Sequence, residues 1–173
     1  MTDKKFIMGA DPGLGNFGLV ITDSNLKLKE FHCIQTKKGK SRLAAEDVFL
    51  RGQQLTREIE SIIKPYDLGV MCAESFSYPR NSSAAAKMAI AWGVICAISE
   101  RLKVPLVMDS PQNIKKTLTG TAKASKEEIQ AALIRKKYEL PKMAKAKLEH
   151  PSDALAAIIC CKDTQLFRAA IGS

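Results

Sequence analysis

Apolar residues recur along this chain with two different spacings. Short, dense runs from Phe6 to Ala10, Phe17 to Ile21, Leu68 to Ala73 and Pro105 to Met108 are of strand length, and Leu19 to Thr22 is rich in β-branched residues. A further strand is predicted from Leu26 to Thr36, after a turn at Asp23-Ser24-Asn25. Between these runs the spacing becomes helical. Leu43, Val48, Leu50, Leu55, Ile59, Ile62 and Ile63 supply one stripe from Ser41 to about Lys64, and Pro65 ends it. Ala84 to Lys103 is a second helix, so poor in charge that both of its faces should be covered. Shorter helices are predicted from Pro111 to the Gly120 stop and from Lys126 to Tyr138, and a last one from Pro151 to Ala170. The order βββαβαβααα predicts a mixed β-sheet flanked by α-helices, an α/β fold in a single domain over residues 1–173.

The ends of two strands stand out. Phe6 to Ala10 delivers Asp11 and is stopped by Pro12-Gly13, and the run Leu68 to Ala73 delivers Glu74. A side chain that follows a buried strand lies at the carboxyl end of the sheet, where α/β folds place their sites. A third acidic group comes from His150-Pro151-Ser152-Asp153. With Pro151 at the first helical position, His150 is the expected cap, and Asp153 lies three residues on, on the same face. Oxygen donors with one imidazole suit Mg²⁺ or Mn²⁺, and two such ions can activate a water and stabilise the leaving oxygen of a phosphodiester. Each acidic residue also has an ordinary reading. Asp11 and Glu74 could be turn formers, Asp153 a helix-start residue favoured by the dipole, and His150 a surface cap. Asp109 likewise follows an apolar strand, but Ser110-Pro111 makes it a plain helix start. Gly13-Leu14-Gly15-Asn16-Phe17-Gly18 fits a dinucleotide fingerprint in spacing only, because a strand and not a helix follows.

Charge favours the site reading. Lys and Arg number 27 against 18 Asp and Glu, a net charge of +9, which points to a polyanionic partner. Basic residues gather between Asn113 and Lys147, where they would flank a carboxylate cluster and let it approach phosphates; a solvated helix face is the plainer alternative. Phe76 and Tyr78, in the loop after Glu74, either pack locally or stack on a base. The five cysteines form no Cys-x-x-Cys and lie mostly in apolar runs, as reduced thiols of a cytoplasmic protein would. The first residues do not read as a signal peptide, and the weakly polar stretch from Ala84 to Ile98 is too short to span a bilayer, so no membrane is expected.

Four segments in this order resemble the RuvC family of Holliday junction resolvases, within the RNase H-like superfamily. They are Gly9-Ala10-Asp11-Pro12-Gly13, Ala73-Glu74, the basic region from Ile114 to Gly120 with Ser125-Lys126, and His150-Pro151-Ser152-Asp153-Ala154-Leu155-Ala156. The resemblance implies an RNase H-like fold and a homodimer that cuts four-way DNA junctions with two divalent ions, Mg²⁺ or Mn²⁺, per site. It assigns metal binding and catalysis to Asp11, Glu74, His150 and Asp153, and DNA contact to Lys115 and Lys126. It leaves open a branch-migration helicase as a partner. Two positions depart from the family pattern: His150 stands where Asp is common, and the junction aromatic falls on Ser77, so that Phe76 or Tyr78 would take its part. A broader branched-DNA nuclease and a non-catalytic junction-binding protein are the alternatives. The Asp-x-Gly hairpin also resembles an actin-like ATPase motif, but the second domain and phosphate loop of that class are missing.

Overall fold

The computed structural model describes residues 5–40, 43–76 and 81–172. Strands β1 (Phe6–Asp11), β2 (Asn16–Asp23) and β3 (Leu28–Gln35) form an antiparallel meander. Helix α1 (Ala44–Ile63) leads to β4 (Leu68–Glu74), which pairs parallel with β1. Helix α2 (Ser82–Leu102) leads to β5 (Leu106–Asp109), parallel to β4. The mixed sheet has the order β3-β2-β1-β4-β5. Helices α3 (Pro111–Thr119), α4 (Lys126–Arg135), α5 (Lys145–Cys161) and α6 (Gln165–Ile171) complete the chain.

Side-chain alternation divides the core into two layers. Met8, Ala10, Leu19, Ile21 and Met71 face α1 and α2, where Leu55, Ile59, Trp92 and Ile95 meet them. Ile7, Val20, Val70 and Cys72 face the other way, onto α5 with Ile114 of α3, Leu133 of α4 and Phe167 of α6. Carried on along each strand, the same parity turns Asp11 (after Ile7 and Gly9) and Glu74 (after Val70 and Cys72) toward α5. Two glycines let α5 press against the sheet. A Cβ at Gly9 would fall on the Ala154 carbonyl, and one at Gly18 on the carbonyl of His150.

The last predicted helix needs correction. It begins at Lys145, so His150 is not a cap and Pro151 lies inside the helix. A proline there removes one backbone donor and disrupts the preceding turn. Tertiary packing outweighs this, since residues 151–159 are all buried, and the Ser152 hydroxyl donates to the Leu148 carbonyl at 2.7 Å. The helix ends at Cys161, and Thr164 caps a separate α6 by accepting from Phe167 N–H. Helix α4 stops at Arg135, short of Tyr138, where Lys137 takes a left-handed conformation with φ 67°. Strand β3 starts two residues late because the Asp23 carboxylate accepts from the N–H groups of Asn25 and Lys27 and lengthens the turn.

Helix α2 also differs from expectation. At 21 residues it is long and apolar enough to cross a membrane by length and composition alone. Only one face is covered: Ala91, Trp92, Ile95 and Ile98 are buried on the sheet, whereas Ala89, Ile90, Gly93 and Ala97 remain exposed.

Candidate active site

Asp11, Glu74, His150 and Asp153 meet at the carboxyl ends of β1 and β4. Asp11 and Glu74 arrive on neighbouring parallel strands, and α5 brings His150 and Asp153 against them. His150 Nδ1 lies 2.7 Å from Asp11 Oδ2. Asp153 is buried, with 5% of its surface exposed, and forms an ion pair with Lys126 at the start of α4. Lys126 Nζ is also 3.7 Å from Glu149 Oε1.

The electrostatics mark this as a crowded anionic site. Burial, reinforced by Asp11 and Asp153, pushes the Glu74 carboxyl up to about 7. Burial also lifts Asp153 to about 6, against the pull of Lys126. The hydrogen bond to Asp11 holds His150 above the ordinary histidine value. Burial alone would lower Lys126, but Asp153 outweighs it and the ammonium is held above its usual range. Carboxyls raised by burial and by a neighbouring carboxylate share a volume short of positive charge. The groups that answer it here are a lysine ammonium and an imidazole, so the pocket already draws cations. Three carboxylates and an imidazole also match the hard-to-borderline donors that Mg²⁺ and Mn²⁺ take. Among the described residues no three such side chains form a closed metal cage, so these donors would have to draw together around an ion.

The other predicted residues fall at different distances from this centre. Lys115 on α3 is half-buried and, with Lys126, exerts its charge on Glu74. Phe76 is half-buried and packs against the layer under α1 and α2. Tyr78 and Ser77 lie outside the described residues. Asp109 stands opposite Glu74 in the β4–β5 register, yet its carboxylate accepts from Ser110 N–H at 2.7 Å and from Asn113 Nδ2. It serves the start of α3, as its Ser-Pro neighbour suggested. Glu149 was missed, because reading Pro151 as the first helical residue left it outside the helix. The sign that could have found it is Leu148, an apolar residue one turn before Ser152.

Comparison with known proteins decides the family. The family profile "Crossover junction endodeoxyribonuclease RuvC" matches residues 7–161. This chain belongs to the RuvC family. It is therefore an endodeoxyribonuclease of the crossover junction class. The RuvC of Prochlorococcus marinus (strain MIT 9211) is 32% identical over 151 residues, covering 87% of this chain and 90% of its own. That of Hydrogenovibrio crunogenus is 29% identical over 160 residues, covering 92% and 88%. Thermus thermophilus RuvC, solved in complex with Holliday junction substrate, superposes with a TM-score of 0.71. It shares 22% identity and covers 97% of this chain and 96% of its own, which shows the RuvC fold.

Proposed function

We propose that this RuvC-family nuclease hydrolyses phosphodiesters in four-way DNA junctions at the Asp11–Glu74–His150–Asp153 cluster, with two Mg²⁺ or Mn²⁺ ions per site. The observation that carries the reading is the convergence of three carboxylates, two of which, Glu74 and Asp153, are pushed up by burial and by the neighbouring Asp11 charge, in a chain of net charge +9. Bound divalent ions would supply Lewis acidity toward water and toward the leaving oxygen.

The chain's own groups do the rest. Asp11, Glu74 and Asp153 offer oxygen donors on rigid strand and helix ends, and His150 offers a ring nitrogen. The Asp11 hydrogen bond fixes the His150 ring, an orienting contact of the kind that tunes metal ligands. Lys126 holds Asp153 in place and, with Lys115, lends positive charge that lets phosphates approach. Phe76 and Tyr78, following Glu74, are the candidates to stack on an unpaired base at the junction.

Paired cuts in opposed strands need two sites, and the open face of α2 suits a second copy. A groove of about 320 Å³ between α1 and α2 is lined by Phe49, Gly52, Ile90, Gly93, Val94 and Ala97. Phe49 is 62% and Leu50 48% exposed beside it, an apolar surface that a homodimer would cover. A cytoplasmic location is in keeping with the bacterial relatives and with a DNA substrate.

A gel assay with a four-way junction, a fork and a plain duplex, each with and without Mn²⁺, tests the function. Metal-dependent nicking confined to the junction supports it. Equal cutting of forks means a broader branched-DNA nuclease, and tight binding without cleavage means a junction-binding protein.

A further inference from the structure

The segment that leaves β3 is fastened more firmly than a surface loop requires. Gln35 pairs with Asn16 in the sheet register and its side-chain amide donates to Asn16 Oδ1 at 2.8 Å, so the chain exits at the same end of the sheet as Asp11. Lys37, Lys38 and Lys40 follow, all exposed, while Thr36 is buried. Thr36 N–H donates to the Gly15 carbonyl at 3.1 Å, and its hydroxyl donates to the carbonyl of Leu14, three residues after Asp11. Arg51 of α1 donates from Nε to the Thr36 hydroxyl at 2.9 Å and from Nη2 to the Thr36 carbonyl at 3.1 Å. One turn earlier, Asp47 lies 3.5 Å from Arg51 Nη1 and accepts from the Gly39 N–H at 2.6 Å.

The side chains of Arg51 and Asp47 are only 11% and 8% exposed. A buried ion pair is costly to desolvate and is retained only when its remaining polar atoms are matched. Here they are matched by the loop that bears the lysines, through Thr36 and the Gly39 N–H, and Thr36 in turn bonds the loop after Asp11. Lysines that did no more than solvate a surface would gain nothing from such a clamp.

We propose that Lys37, Lys38 and Lys40 form a contact for the DNA phosphate backbone, and that the Asp47–Arg51–Thr36 network positions them at a fixed offset from Asp11. The proposal rests on the nuclease reading above. Strands β1 and β3 are two spacings of about 4.8 Å apart, which sets the lysines roughly 10–15 Å from Asp11. That is about three or four nucleotides along a strand rising 3.4 Å per nucleotide. Lys115 lies on the helix that follows β5, at the opposite edge of the sheet from β3. The carboxylate cluster then has basic groups on both flanks, and a polyanion crossing it is held on either side of the cut.

The test is binding of a four-way junction in EDTA, by fluorescence anisotropy at stepped salt concentrations. Four proteins are compared: wild type, the triple variant Lys37→Ala/Lys38→Ala/Lys40→Ala, Arg51→Lys, and the two combined. The triple variant should bind at least tenfold more weakly, with a log–log salt slope shallower by about two to three. Arg51→Lys keeps the charge but loses the planar fork. It should weaken binding several-fold in the wild-type background and not at all in the triple variant, because its effect passes through the loop. Since all three lysines are exposed, the triple variant decides the DNA contact even if Arg51→Lys folds poorly. Unchanged affinity and slope in the triple variant, while wild type binds and cuts junctions, overturns this inference alone. An Arg51→Lys loss undiminished by the triple change overturns the positioning role. A wild type that binds no junction overturns the function and this inference together.

Discussion

His150 Nδ1 and Asp11 Oδ2, 139 residues apart in sequence, lie 2.7 Å from each other where α5 crosses the end of β1. The contact depends on Gly18, beneath the His150 carbonyl, and on Gly9, beneath Ala154. It puts His150 against Asp11 within the candidate cluster, inside α5 and not at its cap.

Metal preference should follow from this residue. A neutral imidazole adds no negative charge, and its nitrogen favours Mn²⁺ over the harder Mg²⁺. Wild-type protein should cut a junction faster in Mn²⁺ than in Mg²⁺ at equal concentration. His150→Asp should shift the ratio toward Mg²⁺, and His150→Ala should lose about tenfold or more in both, the usual scale for a ligand or its orienting partner. Single-turnover rates of the three proteins in each metal check this. An unchanged metal ratio in His150→Asp would remove the imidazole from the metal site.

Stability of the metal-free protein should fall as pH rises from about 5 to 7.5. Glu74 at about 7, Asp153 at about 6 and His150, also raised, all bind protons more tightly folded than unfolded. Each contributes stability that is present at low pH and lost as pH climbs through its folded value. Thermal unfolding in EDTA should show a drop of roughly 5 °C across this window, a shift that corresponds to about 1–2 kcal/mol at this chain length. Glu74→Gln, which cannot titrate, should flatten the profile and unfold higher than wild type at pH 7.5. A midpoint that rises with pH equally in both proteins would contradict the crowding of charge at this site.

Lys115 and Lys126 should separate in their effects. Lys115→Ala should reduce the salt slope of junction binding by about 0.9, the value for one phosphate contact. Lys126→Ala leaves Asp153 buried without its partner, and should slow cleavage more than it weakens binding. Equal losses of slope in both variants, with cleavage at saturation untouched, would make Lys126 a plain backbone contact.

Much of this site is legible in the sequence because strand ends are. A dense apolar run closed by Pro12-Gly13 fixes Asp11, and Leu68 to Ala73 fixes Glu74, within one residue. The start of α5 is not legible. Pro151 satisfies the rule for a first helical residue, and only the burial of residues 151–159 overrides it. The coverage of α2 is legible only in part: low charge marks a helix with two apolar faces, but it does not say that the sheet takes one and leaves the other for a second copy. The Asp47–Arg51 pair carries no local signature, since an i,i+4 ion pair reads as a surface decoration until the loops it holds are in place.

Dimerisation should be visible without DNA. Sedimentation at micromolar concentration should give twice the mass of the 173-residue chain, and Ile90→Asp on the open face of α2 should halve it. A wild-type monomer, unchanged by junction DNA, would count against that face as the interface.

The central claim is that Asp11 and Glu74 hold metal for strand cleavage and contribute little to DNA affinity. Single-turnover cleavage of a four-way junction across a Mn²⁺ titration, with binding measured alongside in EDTA, tests it for wild type, Asp11→Asn and Glu74→Gln. Amides hold divalent ions poorly, so both variants should lose about a thousandfold or more in rate, on the order of 4 kcal/mol of barrier. Both should bind the junction as well as wild type or more tightly, since a negative charge facing phosphate is gone. Cleavage near the wild-type rate in either variant would contradict the account.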